Sequence, residues 1–241
     1  MDIGLPTLEG RFVKRYKRFF ADVELADGTL VTAHCPNTGS LKGCLVEGAR
    51  AVLRDSQDDK RKLRYVFQAI EVDGTLVNVD TALPNRVVHE AVVAGAIPEL
   101  AGYDEARREV KYGANSRIDL LLSKKRSKTL CYVEVKNTTL AEGRLALFPD
   151  AVTERGRKHL GELASMVAAG HRAVQLFFVS RDDVRRFAPA DDIDPAYGAA
   201  LREAAEAGVE VLAYAARVTP DTLDVGRRLD VQLAATRAAR G

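Results

Sequence analysis

At Leu83-Pro84-Asn85 the hydrophobic rhythm of the chain changes, and the change limits what each half can become. Upstream, apolar and polar residues alternate in short runs over residues 8–15, 19–25, 29–34, 49–54, 63–72 and 76–80. Two Asp-Gly pairs, Asp27-Gly28 and Asp73-Gly74, separate neighbouring runs as hairpin turns do. Five or so short strands in this space predict a small closed barrel of the OB type. Downstream, helical and strand patterns take turns. Helices are predicted over 86–96, 150–169 and 194–207, with Asn85 and Asp150 as caps of the first two and Gly208 ending the third. Strands are predicted over 116–122, 129–136, 173–180 and 209–215, with another possible after Thr219. That alternation predicts an α/β domain. The expected organisation is a barrel over residues 1–83 and an α/β domain over 84–241. The last ten residues read as loosely held.

Composition excludes several classes. The longest apolar runs fall well short of the roughly 20 residues a membrane helix needs. The first residues show no basic-then-apolar leader. A soluble, cytoplasmic protein with no membrane partner is expected. The three cysteines, Cys35, Cys44 and Cys131, are odd in number and form no Cys-x-x-Cys pair, so reduced thiols are expected. No P-loop is present. The formal net charge is only +2, yet cations cluster at Arg11–Arg18, at Lys60–Arg64 and at Lys124–Lys128. Such clusters suit phosphates, and they also suit solvated surface.

The chemistry concentrates between Glu109 and Lys136. Side chains on a strand alternate faces, so Glu134 and Lys136 share one face while Val133 and Val135 share the other. Asp119 sits in the preceding strand. If the two strands pair, Asp119 and Glu134 meet near the open end of the hairpin. Two close carboxylates repel unless a cation lies between them, and a hard divalent ion with oxygen ligands fits. Lys136 would then act beside the metal on a phosphate or an attacking water. The competing reading is a Glu134–Lys136 ion pair with Asp119 as a local cap. On the helix predicted after Asp150, Arg155 and His159 share a face four residues apart and could reach a phosphate, or His159 could simply pack. Glu154 and Lys158 read as a surface pair. Asn115 and Arg117 lie in a polar run that suits phosphate or a turn. In the first half, Asn37 and Ser40 sit in a loop that could present donors to an anion. Lys14, Lys17 and Arg18 alternate with aromatics, a pattern that suits phosphates plus base stacking.

The pairing of Ile118-Asp119 with Glu134-Val135-Lys136 resembles the PD-(D/E)xK nuclease superfamily, with isoleucine in place of the proline. That resemblance suggests Glu90, in the preceding helix, as a third acidic ligand; a solvent-facing Glu90 is the alternative. Over nearly its whole length the chain also resembles the sugar fermentation stimulation protein A family. Residues 34–41 (HCPNTGSL), 83–86 (LPNR), 112–119 (YGANSRID), 133–140 (VEVKNTTL) and 148–156 (FPDAVTERG) carry the likeness. The resemblance implies an OB domain followed by a PD-(D/E)xK-like domain, DNA binding and a link to regulation of sugar metabolism. The site it implies takes Mg²⁺ or Mn²⁺ at Asp119, Glu134 and Glu90, with Lys136 as the catalytic cation. DNA is the expected partner, with either phosphodiester hydrolysis or regulatory binding without turnover as the outcome.

Overall fold

A computed structural model describes residues 1–58, 60–112 and 116–234. Its first half is a closed barrel of β1 (Thr7–Tyr16), β2 (Phe20–Leu25), β3 (Leu30–His34), β4 (Arg50–Asp55) and β5 (Tyr65–Val72), with β6 (Thr75–Asn78) added beside β5. The strand order β3-β2-β1-β4-β5 closes where His34 pairs in parallel with Val66. Both Asp-Gly pairs are turns. Asp73 and Gly74 each have positive φ, which a two-residue turn matched to strand twist requires at both positions. Phe12, Val23, Leu53, Phe67 and Ile70 fill the interior, and the rings of Phe12 and Phe67 stack at 5.6 Å. Each such buried side chain contributes about 1.5–3 kcal/mol over its exposed state.

The second half runs α1 (Pro84–Val93), β7 (Glu105–Tyr112), β8 (Ser116–Ser123), β9 (Cys131–Thr138), β10 (Ala141–Glu142), β11 (Leu145–Phe148), α2 (Glu154–Ala168), β12 (Arg172–Val179), β13 (Arg186–Pro189), α3 (Pro195–Glu206), β14 (Glu210–Val218), β15 (Leu223–Arg228) and β16 (Asp230–Val231). The main sheet has the order β15-β14-β12-β9-β8-β7. Its centre, β9, β12 and β14, is parallel, while β8, β7 and β15 are antiparallel additions. Central strands covered on both faces carry continuous apolar runs, and every residue of β12 after Arg172 is buried. Val87, Val88 and Val92 of α1 cover one face together with Ile3. Leu160 and Leu163 of α2, with Tyr197 and Leu201 of α3, cover the other. A four-stranded sheet, β10-β11-β13-β16, lies to one side. Among the described residues no helix is long and apolar enough to cross a membrane. All three cysteines are buried and free. The expectation for the extreme C-terminus falls largely on residues 235–241, which lie outside the described residues.

Both expected helix caps lie elsewhere. Asp194, where the third helix was expected to begin, caps α3 and accepts from Tyr197 N–H. Leu83 takes the cap position of α1 without a side-chain bond, since Pro84 occupies the first turn and has no N–H to satisfy. Asn85 is thereby freed for other work. Helix α2 begins three residues later than predicted from a cap at Asp150: Thr153 is the cap and its hydroxyl accepts from Gly156 N–H. Asp150 instead joins the two halves. Its carboxylate accepts from Ser40 Oγ (2.9 Å) and Leu41 N–H (3.1 Å), and its carbonyl also accepts from Ser40 Oγ.

Candidate metal and phosphate site

The site forms where the β8–β9 ladder stops. Leu122↔Cys131, Leu121↔Tyr132 and Leu120↔Val133 are paired, and the next rung would be Asp119 with Glu134. There the strands diverge, and the Asp119 side chain takes over the backbone's bonding. Its Oδ2 accepts from Val135 N–H at 2.7 Å, and its Oδ1 accepts from Asn85 Nδ2 at 2.7 Å. On the other side β9 stays in register with β12, and Gln175 Nε2 donates to the Glu134 carbonyl at 3.1 Å. The Glu134 backbone is thus fixed while the sheet opens beside it.

Glu134 is 2% exposed. Its Oε1 accepts from Lys136 Nζ at 2.7 Å and makes a short contact with His159 Nδ1. Arg155 Nε donates to His159 Nε2 at 3.4 Å, which places the imidazole proton on Nδ1, facing Glu134. Helix α2 brings this pair in because Gly156 lets its first turn approach α3: a Cβ there would lie 3.0 Å from the Tyr197 ring and 2.9 Å from Thr153. Glu134 Oε2 is buried with no hydrogen-bond partner. A buried carboxylate oxygen left unpaired is costly, and a cation removes that cost.

Electrostatics separates the two carboxyls. Burial opposes charge on Glu134, but the bonds from His159 and Lys136 outweigh it and hold the carboxyl below its usual range. Burial also acts on Asp119, and the neighbouring Glu134 charge adds to it; against the Val135 N–H and Lys136, the carboxyl is still pushed up to about 6. Two neighbouring acids whose ionisations are driven apart in this way lack positive charge between them.

The cleft is about 720 Å³ and is lined by Asn85, Glu109, Ser116, Arg117, Asp119, Glu134, Lys136, Arg155, Lys158 and His159, among others. The structure therefore brings Asp119, Glu134, Lys136, Arg117, Arg155 and His159 together. Asn115 lies outside the described residues. Glu90 is not brought in: it pairs with Arg86 at 3.0 Å on the outer surface of α1, 45% exposed. One turn earlier the same helix presents Asn85 to Asp119, so α1 supplies an amide where an acid was expected. Lys158 pairs with Glu162, not Glu154, at 3.5 Å.

On the barrel, Lys17 and Arg18 form the left-handed β1–β2 turn beside exposed Phe19. Lys14 lies over the Tyr16 ring and 3.9 Å from Asp22. Arg15 ties this turn to the next loop by donating to the carbonyls of Arg18, Asn37 and Gly39. Of the two loop residues expected to present donors to an anion, Asn37 is buried and its Oδ1 accepts from Gly39 N–H, while exposed Ser40 donates to the Asp150 carboxylate.

Asn85, Glu109, Ser116 and Lys158 are among the cleft residues that sequence reasoning did not assign to the site. Asn85 lay within one of the family-like segments, which was the available signal. Glu109 bounded the informative segment but carried no pattern of its own.

An OB barrel fastened to a mixed sheet, with a buried and a half-buried acid and a lysine beside them at a broken ladder, defines a class of two-domain proteins with a polar cleft. The chain belongs to the sugar fermentation stimulation protein family. The family's RE domain matches residues 82–222, and the SfsA N-terminal OB domain matches residues 13–79. Sugar fermentation stimulation protein homologs are 51% identical in Geotalea uraniireducens and 53% in Citrifermentans bemidjiense, each covering 97% of this chain and 100% of the relative. The homolog from Maricaulis maris is 55% identical over 94% of this chain and 96% of its own. Among solved structures, Pyrococcus furiosus SfsA in complex with Ca²⁺ superposes with a TM-score of 0.85 at 29% identity, covering 96% of this chain and 98% of that one.

Proposed function

We propose that this protein binds DNA and hydrolyses phosphodiester bonds at the Asp119–Glu134–Lys136 cleft with Mg²⁺ or Mn²⁺. The observation that carries the reading is the unpartnered Glu134 Oε2 beside an Asp119 whose charge is disfavoured. Both are relieved by a hard cation. The relative from Pyrococcus furiosus is described in complex with Ca²⁺, an ion of the same oxygen-seeking kind. Asp119 and Glu134 would hold the ion, which supplies positive charge to a phosphate and lowers the pKa of water. Asn85 and Val135 N–H keep the Asp119 carboxylate oriented. Lys136, held by Glu134, is a fixed cation for charge that develops on the phosphate. Arg117, Arg155 and Lys158 on the rim neutralise the flanking phosphates. On the barrel, Lys14, Lys17 and Arg18 add sequence-independent contacts. The three buried thiols suit a reducing cytoplasm.

The test is cleavage of labelled DNA by purified protein with Mg²⁺ or Mn²⁺. Asp119→Ala and Lys136→Ala abolish cleavage while circular dichroism stays native; cleavage surviving in both places the activity elsewhere. The relatives' name, stimulation of sugar fermentation, favours a second reading, a regulator that binds DNA without cutting. It predicts salt-dependent binding, weakened by Lys14→Glu with Lys17→Glu, and no metal-dependent cleavage at any protein concentration.

A further inference from the structure

The unusual backbone of the second half lies directly across from Asp119. Strands β7 and β8 pair on a constant register from Glu105↔Ser123 to Tyr112↔Ser116. Arg108↔Leu120 and Val110↔Ile118 are paired, yet the rung between them, Glu109 with Asp119, is missing from the ladder. No residue is inserted to cause the gap. Glu109 instead adopts φ +54°, a left-handed conformation that a non-glycine residue enters only at a cost. Its carbonyl turns to accept from Arg117 Nη1 at 3.1 Å, and its exposed side chain lines the cleft with Asp119, Glu134 and Asn85. A strand that followed its own ladder would leave a glutamate there with an ordinary backbone.

We propose that Glu109 is the third carboxylate of the cation site, binding the same divalent ion as Asp119 and Glu134 or the water between them. This rests on the metal-dependent reading above and assigns to β7 the acidic ligand first sought on α1. Three observations favour it. Glu134, almost wholly buried, lines the same cleft with one carboxylate oxygen unpartnered, so the cleft already lacks a positive ligand. Each Asp119 oxygen already accepts one hydrogen bond, from Asn85 or Val135, so Asp119 and Glu134 alone offer the ion few free lone pairs. Hard divalent ions take at least six oxygens, and an exposed carboxylate at the mouth supplies one without rebuilding the interior. Among the described residues no three acidic, histidine or cysteine side chains are already placed to hold an ion, so Glu109 joins Asp119 and Glu134 by turning inward as the ion enters.

The test is calorimetric titration of Ca²⁺ and Mn²⁺ into the full-length protein, without DNA. Glu109→Gln keeps the shape and removes the charge, and should weaken both ions by about 10–100-fold. Glu90→Gln should leave affinity unchanged. Glu109→Gly accepts the positive φ more readily, so it should raise the melting temperature while weakening the ions like Glu109→Gln. If the wild type binds neither ion, the metal-dependent reading fails with this one. If the wild type binds and Glu109→Gln binds equally well, only the role of Glu109 is overturned. A loss in Glu109→Gln that Glu109→Gly does not share overturns it as well, because the loss then comes from packing.

Discussion

Each half of the molecule buries a carboxylate next to a cation, and the two are resolved in opposite ways. In the barrel region Asp80 is fully buried, with Arg54 Nη2 at 2.5 Å on one oxygen and Ala82 N–H at 2.9 Å on the other. Each oxygen there is answered by a donor of the chain, although Arg54 Nε is itself buried without a partner, and burial raises the carboxyl's pKa. In the α/β domain Glu134 has Lys136 and His159 on one oxygen and nothing on the other. Its neighbour is a second acid. A carboxylate answered on both oxygens stabilises one conformation, whereas one with an unpartnered oxygen beside a second acid is the arrangement that the proposed cation would relieve.

Substitutions can break this contrast in graded steps. The largest effect is expected at Glu134→Gln, which should lower metal-dependent cleavage by about 10⁴-fold or more with little change in the denaturation midpoint. Next is Asp80→Ala, which strands Arg54 in the interior and should destabilise the fold by about 3–5 kcal/mol in urea unfolding, with ion affinity unchanged. If Asp80→Ala weakens the ions while its fold persists, the two sites are not separate.

A smaller effect, of opposite sign, belongs to Asp119→Asn. Folded Asp119 keeps its proton up to about pH 6, whereas an ordinary aspartate loses it near 3.8. Between these values the folded state holds the extra proton. The stability from this group is therefore complete below pH 3.8 and is lost as pH rises to 6. Asparagine cannot ionise, its oxygen can still accept from Val135, and Asn85 can turn its amide to match. The variant should be more stable than wild type by about 3 kcal/mol at pH 7 and nearly equal to it below pH 4. Equal stability at both pH values would mean that Asp119 is ionised without cost. The smallest effect is at the surface: Glu90→Gln removes an exposed i,i+4 pair with Arg86 and should cost about 0.5 kcal/mol or less.

The sequence revealed elements in proportion to how strongly their periodicity is imposed. The barrel strands and both Asp-Gly turns were legible because alternation and turn chemistry are local. So was the shared face of Glu134 and Lys136, which needs only the strand period. Strand β7 was not, because an edge strand carries charge on its open side: Glu105, Arg107, Arg108 and Lys111 leave only Ala106, Val110 and Tyr112 to signal it. Strands β10, β11 and β13 are too short for any period to emerge. Asn85 and Asp150 misled because the residues that cap helices are also those that make good tertiary hydrogen bonds, and local sequence does not say which bond wins. Glu109 was hidden for a related reason, since its role rests on a backbone angle and a neighbouring strand.

The bond from Val135 N–H to Asp119 Oδ2 has a use beyond holding the carboxylate in place. In an unbroken sheet that amide would face a neutral carbonyl. Here it faces an oxygen whose charge comes and goes near neutral pH. Its proton resonance should move as the acid titrates, and move again when an ion displaces the proton. A single backbone amide thus serves as a spectroscopic gauge of the acid pair in the cleft, readable on the native chain without mutation at the site.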